Sequence, residues 1–208
     1  VNKLICASNA NNVLTDFIKT GIYDRNRPFH TTISPSMDIL ISSNLERLLY
    51  HLSGSDDAQI REWFGSLSKT GRYEVTDEVK KAIADEFYAG CCDDEQTKAC
   101  IKEIYDEYSY TCDTHTAVAV KVYKDYAAAT GDKTKTVIAS TASPYKFSGS
   151  VLAAIGKDTN ADEFGLVDEL SKIPVPASLA ALKDKEVRFT KVIDKADMKD
   201  YIYSALGI

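Results

Sequence analysis

Lys3-Leu4-Ile5-Cys6-Ala7, followed at once by Ser8-Asn9-Ala10-Asn11-Asn12, is the stretch that decides the fold. The first segment is a short apolar run bounded by polar residues, which reads as a buried strand. The second is rich in hydroxyls and amides, side chains that compete for backbone hydrogen bonds and cap helices. Residues 13–20 then read as a helix, stopped by Gly21 at the usual C-terminal position. A strand that turns through polar residues into a helix is the opening of an α/β layer, where ligands gather at the carboxyl ends of strands. Val1 opens into this run without a methionine, so the sequence is read as a piece cut from something longer.

Working outward, the second strand signal is Thr136-Val137-Ile138-Ala139, which ends in Ser140-Thr141-Ala142-Ser143. Ser143-Pro144 opens a helix that runs to Gly156, with proline at its first position. Asp113 caps a helix over 114–129, closed by Gly131. Between these signals, 23–36 is irregular and interrupted by Pro28 and Pro35. A helix from Ser43-Asn44 to Gly54 carries Leu45, Leu48, Leu49 and Leu52 on one face. Three more helices follow, ending near Gly71, Gly90 and Tyr108, each with acidic residues in its first turn to complement the helix dipole. Further helices are predicted over 162–172, 177–183 and 195–206, with an edge strand over 187–193. The pattern predicts an α/β fold: a partial open, mostly parallel sheet with helices on both faces. Residues 1–54 supply core and substrate-side loops, 55–109 an inserted helical block, and 110–208 the rest of the core and a C-terminal extension.

The bulk numbers narrow the function. Of 208 residues, 44% are hydrophobic and 27% charged, ordinary values for a globular chain. The net charge is −6 and no basic cluster forms, which argues against nucleic acid and anionic membranes as partners. No apolar run approaches the ~20 residues of a membrane span, and no signal peptide is recognisable, so the chain reads as cytoplasmic. The five cysteines are odd in number, irregularly spaced and without a CxxC pair. They read as free thiols rather than as a zinc site.

A resemblance then enters on specific blocks. Ser-Asn-Ala-Asn-Asn-Val-Leu-Thr-Asp-Phe (8–17), Thr-Gly-Ile-Tyr-Asp-Arg (20–25) and Ser-Pro-Ser-Met-Asp-Ile (34–39) resemble segments of threonine synthases. Ser-Ser-Asn-Leu-Glu-Arg-Leu-Leu (42–49), Asp-Thr-His-Thr-Ala-Val-Ala (113–119) and Thr-Ala-Ser-Pro-Tyr-Lys-Phe (141–147) continue the series in family order. The likeness is to the C-terminal part of the bacterial and fungal branch. Such enzymes use pyridoxal phosphate (PLP), on a fold like the tryptophan synthase β subunit, to convert O-phospho-L-homoserine and water to L-threonine and phosphate.

The resemblance implies roles for particular positions. Thr141 matches the hydroxyl placed against the pyridine nitrogen of PLP. Asp113, His115 and Thr116 match the helix start that faces the cofactor pocket. Ser34, Ser36, Asn44, Arg47 and Lys146 fall in blocks that bind or enclose the phosphorylated substrate, Arg47 being the natural phosphate partner. Plainer roles stand beside these: a structural histidine at His115, a salt-bridged Arg47, a surface Lys146. The family's Schiff-base lysine and glycine-rich phosphate loop have no counterpart in these 208 residues, whose missing N-terminal half is the expected partner. The expected function is therefore a threonine synthase fragment that is inactive by itself. The alternative is a stand-alone α/β binding or interaction module of the same descent. A small unrelated enzyme using Asp113 and His115 with Ser34 or Ser36 has no nucleophile motif to support it.

Overall fold

The computed structural model describes residues 1–170 and 174–208. In chain order the first unit, Val1–Lys172, carries β1 (Leu4–Ser8), α1 (Val13–Thr20), β2 (Ile22–Asp24), α2 (Leu45–Leu52), α3 (Asp57–Thr70) and β3 (Arg72–Glu74). It continues with α4 (Asp77–Glu86), β4 (Phe87–Cys91), α5 (Asp94–Tyr108), α6 (Thr114–Thr130), α7 (Ser148–Ala154) and α8 (Glu163–Glu169). The second unit, Ile173–Ile208, holds α9 (Ala177–Ala180) and α10 (Met198–Leu206).

β1 forms where its apolar run predicts and pairs in parallel with β4, Leu4 opposite Phe87 and Ser8 opposite Cys91. β4 corrects the helix expected to run to Gly90, which ends at Glu86. The apolar spacing Val79, Ile83, Phe87 continues the helical period past the true end, while Phe87 and Tyr88 favour extended chain. Gly90 is thus no helix cap. A Cβ there would lie 2.8 Å from Val122 Cγ1, so glycine lets β4 press against α6. Ala89 belongs to the core cluster with Val13 and Phe17 of α1. Neighbouring strand residues point to opposite faces, so α1 and α6 cover the two faces of the pair. The α/β architecture stands.

The main core lies on the α1 side. β2 and β3 pair antiparallel with Tyr23 opposite Tyr73, and these rings pack with Phe17, Trp63 and Phe64. Residues 55–109 therefore carry two strands, each paired with a strand from 1–54. Helix ends follow local signals. Gly21, at φ +76, turns its N–H onto Phe17 O at 2.7 Å. Asp93 and Gln96 form a reciprocal capping box at the start of α5.

Two predicted strands are corrected. Residues 136–139 have no regular secondary structure and pair with no strand among the described residues, with Val137 89% exposed. Residues 187–193 are irregular, and all but the half-buried Ile193 are exposed. In both cases the residue types suit a strand, yet among the described residues no neighbouring strand completes the ladder. The helix expected from Ser143 to Gly156 is a 3₁₀ turn, Pro144–Phe147, followed by α7. The helices predicted over 177–183 and 195–206 are likewise each part 3₁₀. The tail of the helix predicted over 162–172 lies in part outside the described residues.

Candidate functional site at the start of α6

Asp113 opens the site. Its backbone is extended and its Oδ1 accepts the N–H groups of His115 at 2.9 Å and Thr116 at 3.1 Å, capping α6. Oδ1 also lies 3.2 Å from His115 Nδ1, and Oδ2 accepts the Thr116 hydroxyl. The Asp113 side chain is 2% exposed and His115's is 4%. On the far side of the imidazole, Nε2 accepts the backbone N–H of Ser36 at 3.2 Å. An Nε2 that accepts carries no hydrogen, so the ring hydrogen sits on Nδ1 and faces Asp113. The ring's orientation and tautomer are therefore both fixed, and Phe147 packs on it with centroids 5.4 Å apart.

Ser36 is joined from a second direction. Its Oγ accepts the Lys146 ammonium at 3.0 Å, which ties the Pro35 turn to the Pro144 turn. Thr116 Oγ1 lies 3.0 Å from Ser140 Oγ, bringing the end of the 136–139 run to the same place. Ser36, His115 and Thr141 all line one cleft of ≈ 770 Å³. Its floor is α6 and its sides are β1 and residues 134–139.

The structure thus gathers Ser36, Asp113, His115, Thr116, Thr141 and Lys146 around one cleft end. Ser34 is not part of it. That residue is buried and held by a separate network, its Oγ accepting from Asn9 Nδ2 at 3.1 Å. Asn44 and Arg47 are exposed at the start of α2, Arg47 donating to the Asn44 side-chain Oδ1, and neither lines the cleft.

Sequence reasoning missed the residue that positions Ser36. Asp38 accepts from Asn9 Nδ2 at 2.7 Å, Asn11 Nδ2 at 3.0 Å, and the Thr32 N–H and hydroxyl at 2.9 and 2.7 Å. It straps residues 32–38 to the turn that follows β1. The amide-rich turn was visible in the sequence, but its acceptor 29 residues away was not. Cys112, beside Asp113, is buried, which pushes its thiol up to about 12 and keeps it protonated. Among the described residues no group of three or more His, Cys, Asp or Glu is placed to hold a metal. Among them, no helix is long and apolar enough to cross a membrane.

Comparison with known proteins gives the same direction. Residues 116–202 match the family described as Threonine synthase, C-terminal. Human Threonine synthase-like 1 is 37% identical over 180 residues, 84% of this chain and 24% of that protein. The crystal structure of yeast threonine synthase superposes with TM-score 0.82 at 31% identity, over 99% of this chain and 42% of the yeast chain. The PLP-bound threonine synthase of Brucella melitensis superposes with TM-score 0.79 at 31% identity, over 98% of this chain and 40% of that one. The chain therefore spans well under half the length of the relatives it matches. On its fold and these matches together, it belongs to the threonine synthase family, corresponding to the C-terminal part of those enzymes.

Proposed function

We propose that the chain supplies the C-terminal half of a threonine synthase active site, which uses PLP to turn O-phospho-L-homoserine and water into L-threonine and phosphate. The observation that carries this reading is the meeting of Thr141, His115 and Ser36 in one cleft, beside the ends of β1 and the 136–139 run. The residues fit the ring side of the cofactor. Thr141 lines the cleft, where its neutral hydroxyl would hold the pyridine nitrogen without adding charge, and a well-fixed helix start lines the same cleft through His115. PLP, when bound, supplies an electron sink for charge developing at the substrate's α-carbon.

This chain's own residues bind and orient. Asp113 and His115 hold Ser36, and Thr116 holds the Ser140 turn that precedes Thr141. Lys146 brings one positive charge to the Ser36 hydroxyl, a pair suited to a phosphate oxygen. Asn44 and Arg47, already joined on an exposed helix start, are the second substrate-binding pair in this proposal, and Ser34 supports the strap that bears Ser36. The setting is cytoplasmic, in keeping with five free thiols.

The 208 residues contain neither a lysine in the family's cofactor-tethering context nor a glycine-rich phosphate cradle. Lys3, which lines the cleft, is already bonded to the Ala84 and Asp85 carbonyls at 3.2 and 2.8 Å. The polypeptide alone is therefore inactive, and it needs the remainder of the enzyme to turn over. The test is phosphate release from O-phospho-L-homoserine with PLP. The chain alone should release none, and the chain joined to the remainder of the enzyme should do so; release by the chain alone overturns its inactivity. Absence of release in the joined form overturns the active-site reading.

A further inference from the structure

The turn that carries Ser36 is anchored on both sides and held in its middle by one backbone bond. Ser34 Oγ accepts from Asn9, and Asp38 accepts from Asn9, Asn11 and Thr32. Within the 3₁₀ turn Pro35–Met37, proline has no N–H. The Met37 and Asp38 N–H groups bond back to Ser34 O and Pro35 O at 2.9 and 3.1 Å. The Ser36 N–H alone is left to reach another element, and its acceptor is His115 Nε2 at 3.2 Å. Pro35 and Ser36 are exposed, so little packing holds them besides that bond.

Histidine is the side chain whose ordinary charge change falls within about pH 5–8. A proton arriving at His115 has one place to go. Nδ1 already bears the hydrogen that faces Asp113 Oδ1 at 3.2 Å, with Thr114 Oγ1 at 3.3 Å. The second hydrogen therefore lands on Nε2 and meets the Ser36 N–H, donor against donor. Buried Asp113 attracts the imidazolium whether the turn is closed or open, so it anchors the ring without opposing release. Phe147 packs against the same ring. Lys146, from the Pro144 turn, places its ammonium 3.0 Å from Ser36 Oγ and 5.4 Å from the Phe147 ring centroid. A second positive charge beside it raises the cost of keeping the turn closed. Cys112, next to Asp113, stays a neutral thiol. The turn itself brings no ionisable side chain, and Asp38 is committed to Asn9, Asn11 and Thr32.

We propose that His115 is a proton-operated latch. Neutral, it holds the Ser36 turn against the start of α6; protonated, it lets the turn go. The sign follows from the hydrogen count. The closed turn binds one proton fewer than the open one, so closure is favoured as pH rises and lost as pH falls. Release is confined to Pro35–Met37, because the anchors at Ser34 and Asp38 do not involve His115. Ser36 and Lys146 are the anion-binding pair of the proposed site, so the latch regulates that site and takes its functional meaning from that reading.

The experiment follows the 208-residue chain by NMR between pH 8 and pH 5. Protection of the Ser36 amide from exchange, taken relative to a free peptide, should fall at least tenfold over that range. Ile101 and Ile104, buried in α5, should keep theirs. The imidazole nitrogen-15 shifts of His115 should show hydrogen on Nδ1 alone at pH 8 and on both nitrogens where Ser36 is released. The two changes should share one midpoint. His115→Gln offers a carbonyl in place of Nε2 and cannot charge, so its Ser36 amide should stay protected throughout. Constant protection in the parent chain, separate midpoints, or an equal fall in His115→Gln overturns the latch. None of these readings uses phosphate release, so the latch and the active-site reading can each fail without the other.

Discussion

Tyr73 stacks on Tyr23 with ring centroids 5.3 Å apart and planes 5° from parallel, yet the two hydroxyls live differently. Tyr23 donates to Leu40 O at 3.0 Å and accepts from Ser42 N at 2.9 Å, whereas the buried Tyr73 hydroxyl has no hydrogen-bond partner among the described residues. Burial pushes its ionisation well above the ordinary tyrosine range. Deleting an orphaned polar atom costs nothing in hydrogen bonds, while deleting a satisfied one orphans its partners. Tyr73→Phe should leave stability unchanged or raise it by about 1 kcal/mol, and Tyr23→Phe should lower it by about 1–2 kcal/mol. Urea denaturation of the two variants checks the pair; a larger loss for Tyr73→Phe would contradict it.

Asp113 serves two backbone N–H groups, one hydroxyl and one imidazole from within the core. Asp113→Ala should cost about 2–4 kcal/mol, more than the ~1 kcal/mol of an ordinary exposed cap. The exposed cap Asp56, which accepts from Ala58 and Gln59 at 3.0 Å, is the internal control. Equal losses for Asp113→Ala and Asp56→Ala in the same denaturation experiment would refute the added role of burial.

Removing the strap's hub should loosen the strap without unfolding the body. In Asp38→Ala the amides of Thr32 and Ser36 should exchange at least tenfold faster, since the Thr32 N–H loses its acceptor and the Ser36 N–H its positioning. The core amides of α5 should keep their rates. Unchanged exchange at Thr32 would show that Asn9 and Asn11 hold the segment unaided.

The cysteines predict both reactivity and an alkaline limit. Cys91 is exposed, while Cys92, Cys100 and Cys112 are buried. Burial pushes Cys100 up to about 11 and Cys112 up to about 12. At pH 8 a thiol reagent should label Cys91 first and the buried three only on unfolding. The raised values also set a sign. Below about pH 9 these thiols are protonated folded or unfolded, but above it the unfolded chain ionises first, so stability falls as pH rises towards 11–12. Cys100→Ser should flatten that loss in denaturation curves between pH 8 and 10.5, and an identical slope would count against it.

What the sequence disclosed and what it hid divide along a physical line. The ends of α1, α3, α5 and α6 were legible from Gly21, Gly71, Asp93 and Asp113, because capping is decided within a few residues. Capping announced α6 only as a helix; its start became a candidate site through the resemblance of residues 113–119 to threonine synthases. β4 was hidden: its pairing partner is a strand from the beginning of the chain, and the period of α4 runs on through Phe87. Asp38 was hidden too, since nothing near it in sequence announces that Asn9 and Asn11 will converge on it. Residues 136–139 show the reverse case, a strand by composition that the described chain leaves unpaired.

The parallel pairing of Leu4 with Phe87 also sets a timetable. No local turn can bring these strands together; everything from α1 to α4 must be made and folded back before the first bond of the ladder forms. At ribosomal rates of ~5–20 residues per second, β1 waits on the order of 4–17 s for β4 to be synthesised. Contacts of such long range in sequence slow folding, because the entropy of closing the loop comes before any reward. During that interval Leu-Ile-Cys-Ala lacks its β4 partner, which makes it a client for a chaperone that grips extended chain.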